Sequence, residues 1–211
     1  MIVYLDGERI EPDRDTLRGA FESAIKQADA SGRIVVEIHA DGEPIPDEFI
    51  ADPPESASGF TELRFVSAEP RSMVRTVLLD AADALDTVKS DQQSAAEAIQ
   101  GGRLDDARKT LERAVGVWSA VITGVHQGSS MVGLDLESVS AGNPPMPYAQ
   151  HVEQLENELR AVVRMISDED WSSLSDSLED ELTELTERWR ELLHALADRV
   201  PPASASDGPG T

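Results

Sequence analysis

From residue 74 onward the chain repeats. Val74, Leu78, Ala81, Leu85, Val88, Ala95 and Ile99 are spaced alternately by four and three, and Gln92 takes the one place where the series turns polar. Steps of four and three keep side chains on one face of an α-helix, whereas a strand would throw them to opposite sides. The spacing predicts a helix of about 30 residues, roughly 45 Å long at ~1.5 Å per residue. Gly101 and Gly102 interrupt it, and Leu104, Ala107, Leu111, Ala114, Trp118, Val121 and Val125 restart the rhythm, as two helices folded back on each other would require. After a second break at Asn143-Pro144-Pro145-Met146-Pro147, a third stripe runs through Val152, Leu155, Leu159, Val162 and Ile166. Ser167 can cap a last helix carrying Trp171, Leu174, Leu178, Leu182, Leu185, Trp189, Leu192 and Leu196. Four helices joined by short breaks predict an antiparallel helical bundle over residues 70–200.

Residues 1–68 follow a different rule. Ile2-Val3-Tyr4-Leu5 is β-branched and aromatic, Asp6-Gly7 supplies a tight turn, and Glu8-Arg9-Ile10-Glu11 returns as a hairpin. Asp15 or Thr16 can cap a helix with Leu17, Phe21, Ala24, Ile25 and Ala28 on one face, stopped at Ser31-Gly32. Arg33 to Ile38 reads as a strand and Asp41-Gly42 as a second turn. Pro44 and Pro46 confine the returning strand to a sheet edge, and Thr61 to Val66 forms a last strand. The segment 52–59 reads as a loop, and 201–211, rich in Pro, Gly and Ser, as a disordered tail. The order of these elements resembles the β-grasp (ubiquitin-like) fold. The expected class is therefore α+β: a small β-grasp-like domain over 1–68, an antiparallel bundle of long helices over 70–200, and the tail.

Composition narrows the partners. With 41 acidic residues against 18 basic ones the formal charge is −23, the wrong sign for nucleic acid or anionic lipid. No apolar run approaches the ~18 residues that a membrane helix needs. Neither nucleic acid nor membrane is an expected partner. Met1-Ile2-Val3-Tyr4-Leu5-Asp6 lacks the basic and long apolar regions of a secretory leader, and the chain has no cysteine, so the expectation is a cytoplasmic protein.

Catalytic signatures are scarce. His39, His126, His151 and His194 show no metal-binding spacing, and no phosphate-binding glycine loop or nucleophile elbow occurs. Asp168-Glu169-Asp170 stands where the last helix begins, a place that favours acidic side chains, and Glu179-Asp180-Glu181 reads as the solvated face of that helix. No cofactor, metal or catalytic residue is expected.

The segment Val115 to Val125 carries no charge. Gly116, Ala120, Gly124 and Gly128 lie opposite Trp118 and Val125 on a helical wheel, so two faces are expected to be buried: either a central helix packed on both sides, or a groove that receives a partner's helix. Gln127 to Leu136 mixes small and large apolar residues, as either a mobile segment or a helix end packing Met131, Leu134 and Leu136 would.

Residues 88–128, with Ala95-Ala96-Glu97-Ala98-Ile99-Gln100-Gly101-Gly102 followed by Leu111-Glu112-Arg113-Ala114, resemble the central helical hairpin of bacterial flagellar export chaperones of the flagellin-binding kind. That resemblance implies a bundle that holds client helices in apolar grooves. The expected function is a non-enzymatic adaptor or chaperone for a protein partner, with Trp118, Val121, Gly124, Val125 and Met131 lining the recognition surface. A self-associating structural protein, or an enzyme whose site is assembled from scattered acids, are the competing expectations.

Overall fold

The computed structural model of the chain describes residues 1–54 and 59–201. The chain is α+β and divides into two compact units, one covering Met1–Met73 and one beginning at Val74. The expected boundary near residue 69 falls just before the long helix that straddles this division. The expected tail, except Pro201, and the middle of the loop after Asp52 lie outside the described residues.

In the first unit, β1 (Ile2–Leu5) and β2 (Glu8–Ile10) form the expected hairpin. Asp6 and Gly7 both take positive φ, 52° and 84°, the geometry that a two-residue turn needs to follow the twist of its strands. α1 (Leu17–Ala30) is capped by Thr16, whose hydroxyl accepts from the Gly19 amide at 3.0 Å, so Thr16 rather than Asp15 is the cap. β3 (Ile34–Ala40), the two-residue edge strand β4 (Glu43–Pro44) and β5 (Glu62–Ala68) complete a sheet of order β2-β1-β5-β3-β4. Within it β1 and β5 run parallel, while the other pairs are antiparallel. Val3, Leu5, Leu63 and Phe65 of the sheet pack with Leu17, Ala20, Phe21 and Ala24 of α1. Ile25, assigned to the buried face by spacing, is instead exposed, because α1 covers the sheet with a narrower stripe. The short helix α2 (Asp47–Ala51) was not legible in the sequence: five residues are too few to show a period.

The second unit holds α3 (Pro70–Gln100, from Val74 onward), α4 (Leu104–Val132), α5 (Tyr148–Ser167), α6 (Trp171–Glu179) and α7 (Glu181–Arg199) around one core. The two-glycine break closes the α3–α4 hairpin as expected. Within this hairpin Arg113 of α4 grips the buried Asp91 of α3 with two hydrogen bonds, Nε to Oδ2 at 2.7 Å and Nη2 to Oδ1 at 2.5 Å. At the end of α7, an Arg75 guanidinium nitrogen donates to the Ala197 carbonyl, which also accepts from the Val200 amide.

Three expectations change here. The last helix is two helices, broken at Asp180, so Glu179-Asp180-Glu181 marks a joint rather than a solvated face. The stripe Leu174, Leu178, Leu182, Leu185 and Trp189 stays buried across the break, which is why periodicity does not reveal it. The Thr183 hydroxyl donates to the Leu178 carbonyl freed there, at 3.1 Å. Second, α5 runs through Ser167, and the cap of α6 is Asp170, which accepts from the Ser173 amide at 3.2 Å. Third, the Val115–Val125 stretch is buried on one side only. Ala114, Trp118, Val121 and Val125 enter the core, whereas Gly116 and Ala120 face solvent. The small-residue face closes only toward its end, where a Cβ on Gly124 would meet Val77 Cγ1 at 3.7 Å and one on Gly128 would meet Val74 Cγ1 at 3.1 Å. Absence of charge over Val115–Val125 therefore did not mean burial all round; the close approach between helices comes at Gly128, beyond that stretch.

Between α4 and α5 the chain is less irregular than its composition suggests. Gly133 ends α4 in the left-handed conformation, φ 66°. A 3-10 turn (Leu136–Ser138) and a two-strand ladder, β6 (Ser140–Ala141) with β7 (Met146–Pro147), lead into α5. Leu134 and Leu136 pack on the core, as a helix end would place them, but Met131 is 51% exposed.

Candidate functional site: an apolar cleft between two helices

α4 and α5 do not meet along their whole length. They border a cleft of about 650 Å³, walled by Leu104, Leu111, Val115 and Trp118 of α4 and by Leu159, Val162, Val163 and Ile166 of α5. Its floor is made by Ile99 and Gln92 of α3, Trp171, Leu174 and Leu178 of α6, and Leu182 of α7. The stepping of α4 and α5 explains the walls. Ala107, Ala114 and Trp118 point into the core, and Leu104, Leu111 and Val115 stand beside them along the same edge of the helix. On α5 the adjacent pair Val162-Val163 widens the apolar stripe beyond what core packing uses, so Val162 is buried and Val163 is 62% exposed. Val115 is 50% exposed, and Leu104 and Ile166 are likewise open to solvent.

Polar groups reach the cleft at few points. Asp105, Arg108 and Glu112 stand on the α4 rim, the latter two joined by an ion pair at 2.9 Å. Gln92 is the polar residue of the floor, 3% exposed, and its amide meets the Thr186 hydroxyl at 3.3 Å. The residue that interrupts the heptad series is thus the one that brings a hydrogen-bonding group into an apolar cavity.

A second polar feature is sealed inside the same unit. Trp189 is fully buried and makes edge-to-face contacts with Trp118 (5.5 Å between centroids), Tyr148 (6.3 Å) and His151 (6.4 Å). Tyr148 OH lies 3.3 Å from His126 Nε2. His151 itself is 0% exposed and neither ring nitrogen makes a hydrogen bond of ordinary geometry, as is true of Trp189 Nε1. Burial pushes the His151 imidazole below its usual range, with the nearby Ala141 and Met146 backbone opposing the shift more weakly. Burial likewise pushes the Tyr148 phenol up. The neutral ring is held as packing against Trp189. Among the described residues, no three His, Asp or Glu side chains converge as a metal site would require.

Of the residues that sequence alone nominated for recognition, Trp118, Val121 and Val125 are buried in the core; Trp118 also lines the cleft. Gly124 is half-buried against Val77, and Met131 is exposed but is not a lining residue of the cleft. The five are not gathered at one open surface. Reasoning from sequence missed Val163 and Gln92, though each left a trace: a doubled valine on an otherwise single stripe, and a polar residue in a core position.

The family model for a domain of unknown function (DUF8042) matches residues 76–192, more than half of the 211-residue chain. The chain belongs to that family. Every residue of the cleft lies inside the matched segment, and the whole N-terminal sheet lies outside it. No curated protein and no solved structure matches the chain.

Proposed function

We propose that this protein is a non-enzymatic binding protein, an adaptor or chaperone that holds an amphipathic helix of a protein partner in the cleft between α4 and α5. The observation that carries this reading is the apolar surface left open there, Leu104, Val115, Val163 and Ile166, flanking a channel that the protein's own core does not fill. From Leu104 to Trp118 the α4 wall spans about 21 Å at ~1.5 Å per residue, enough for four turns of a partner helix. Helix-in-groove recognition needs that length of apolar wall and anchors spaced three and four apart. The formal charge of −23 favours a cationic partner, because it draws positive segments in and repels acidic ones. A flagellin-type client of a secretion chaperone is the narrower form of the reading, resting on the resemblance of residues 88–128.

The finer fold assignments are part of the same proposal. The sheet order β2-β1-β5-β3-β4, with β1 and β5 parallel and α1 on one face, supports a β-grasp for the N-terminal unit. The α3–α4 hairpin and the shared core of α3 to α7 support an antiparallel bundle. A cytoplasmic location fits the acidic, cysteine-free composition; among the described residues no helix is long and apolar enough to cross a membrane.

Site-specific photo-crosslinking in the native host tests this, with a benzophenone side chain at Val163 compared with the same group at Val36, exposed on the N-terminal sheet. A discrete heterologous adduct at 163 that is missing at 36, and is lost with Val115→Glu, is expected. Adducts between copies of the chain alone would replace the adaptor reading with self-association.

A further inference from the structure

The floor of the cleft carries an uncompensated half of an amide. Gln92 presents two hydrogen-bonding ends, a carbonyl and an NH2 group, and among the described residues its one partner is Thr186. The Thr186 hydroxyl has a single proton, and that proton is already committed to the Leu182 carbonyl at 2.7 Å, a shorter bond than the 3.3 Å contact with Gln92. The structure sets Gln92 Oε1 against that hydroxyl, two acceptors around one proton; turning the amide by 180°, so that its NH2 group donates to the Thr186 oxygen, satisfies both contacts. The Gln92 carbonyl is then the end that abuts the cleft, a cleft lined also by Ile99, Leu174, Leu178 and Leu182, whose side chains carry no hydrogen-bonding group.

An apolar occupant that simply filled this space would strip water from that carbonyl and give nothing back, which costs more than the hydrogen bond itself is worth. We propose that the cleft selects an occupant with one hydrogen-bond donor at the tip of an otherwise apolar group, and that on a partner helix this group is a tyrosine side chain reaching the carbonyl of Gln92. This rests on the helix-in-groove reading above and adds the chemistry of its central anchor. A tyrosine supplies a flat apolar body for the walls of Leu159, Val162 and Trp118 and a hydroxyl proton for the floor, whereas leucine or phenylalanine at that place leaves Gln92 unpaired.

p-Cresol and toluene, the side-chain analogues of tyrosine and phenylalanine, test this on the full chain. Their binding is read from the indole NMR signals of Trp118 and Trp171, which line the cleft, against Trp189, which does not. In a site without a partner for the hydroxyl, toluene wins, because desolvating a phenol is unfavourable. In the wild type p-cresol is expected to bind at least as tightly as toluene, and Gln92→Leu should move the ratio roughly tenfold toward toluene, the equivalent of one net hydrogen bond. Gln92→Met, which keeps the length of the side chain, should behave the same and covers the case in which leucine packs badly. Toluene preferred in the wild type, a ratio unmoved in both variants, or no binding of either probe overturns the proposal. The parent reading fails separately: p-cresol selectivity in a protein that binds no cationic helical peptide keeps the anchor and removes the helix.

Discussion

Asp6, left-handed at the tip of the first hairpin, accepts hydrogen bonds from both the amide (2.7 Å) and the hydroxyl (2.5 Å) of Ser67 near the end of β5. The Arg33 guanidinium donates to the same Ser67, Nε to Oγ at 2.7 Å. At the opposite end of β5, Asp41 of the second Asp-Gly turn accepts from Thr61 N at 3.1 Å and Glu62 N at 2.9 Å. Besides reversing the chain, each turn therefore ties its hairpin to one end of the central strand. The recurrence of Asp-Gly is structural, with aspartate serving both as a residue tolerant of positive φ and as an acceptor.

Both carboxyls are held below the ordinary value of 3.8. For Asp6 the Ser67 hydroxyl is the main cause, for Asp41 the Thr61 hydroxyl. A lowered carboxyl pKa contributes stability that is fully present above the unfolded value and is lost as pH falls through the folded one. Amide protection factors of β1 and β5, corrected for the intrinsic pH dependence of exchange, should fall below about pH 4. Asp6→Ala should destabilise this unit at neutral pH by about 1–2 kcal/mol, since alanine resists the left-handed conformation, and Asp6→Asn, which tolerates it, by less. Equal losses in the two variants would contradict the assignment.

His151 sets a second and separate window. Its pKa is lowered from 6.5 by burial, so below that value the unfolded chain takes up a proton that the folded one refuses. Stability of the helical unit, followed by tryptophan fluorescence in denaturant, should fall as pH drops from 7 toward 5. The charges nearest the ring, Arg188 and Glu191 of α7, act in opposite directions and do not remove the effect. His151→Phe should flatten this part of the profile and leave the loss of protection in β1 and β5 below about pH 4 unchanged.

Gly116 and Gly128 distinguish one buried face from two. A methyl group at Gly116 meets nothing within 4 Å, so Gly116→Ala should stabilise by roughly 0.5–1 kcal/mol through helix propensity alone. Gly128→Ala must push Val74 aside from 3.1 Å and should gain little of this. Destabilisation by Gly116→Ala in urea melts would mean that its face is packed after all.

Trp118 and Val163 both line the cleft but differ in what they hold up. Trp118→Ala should cost about 3–5 kcal/mol, as expected for a buried aromatic that contacts Trp189. Val163→Glu should leave stability within about 0.5 kcal/mol, as for an exposed site, while abolishing partner capture. A folded protein that still captures its partner with Glu at 163 would move the site elsewhere.

The helices, the hairpin turns and the edge strand at Pro44 could be read without coordinates, because each follows from a local property: a period of four and three, a residue that accepts positive φ, a missing N–H. The sequence by itself also determined that α3 and α4 fold back at Gly101-Gly102 and that the chain is α+β. Only tertiary structure decided what each apolar stripe faces. Burial is a relation between elements, so the uncharged side of α4 could be core, groove or solvent until α3 and α5 were placed. Val163 and Gln92 show the two ways this fails: one valine more than the core can take, left exposed, and one glutamine in a core position, left half-paired. A linear pattern records how apolar a face is, and only the packing of its neighbours decides how much of it is covered.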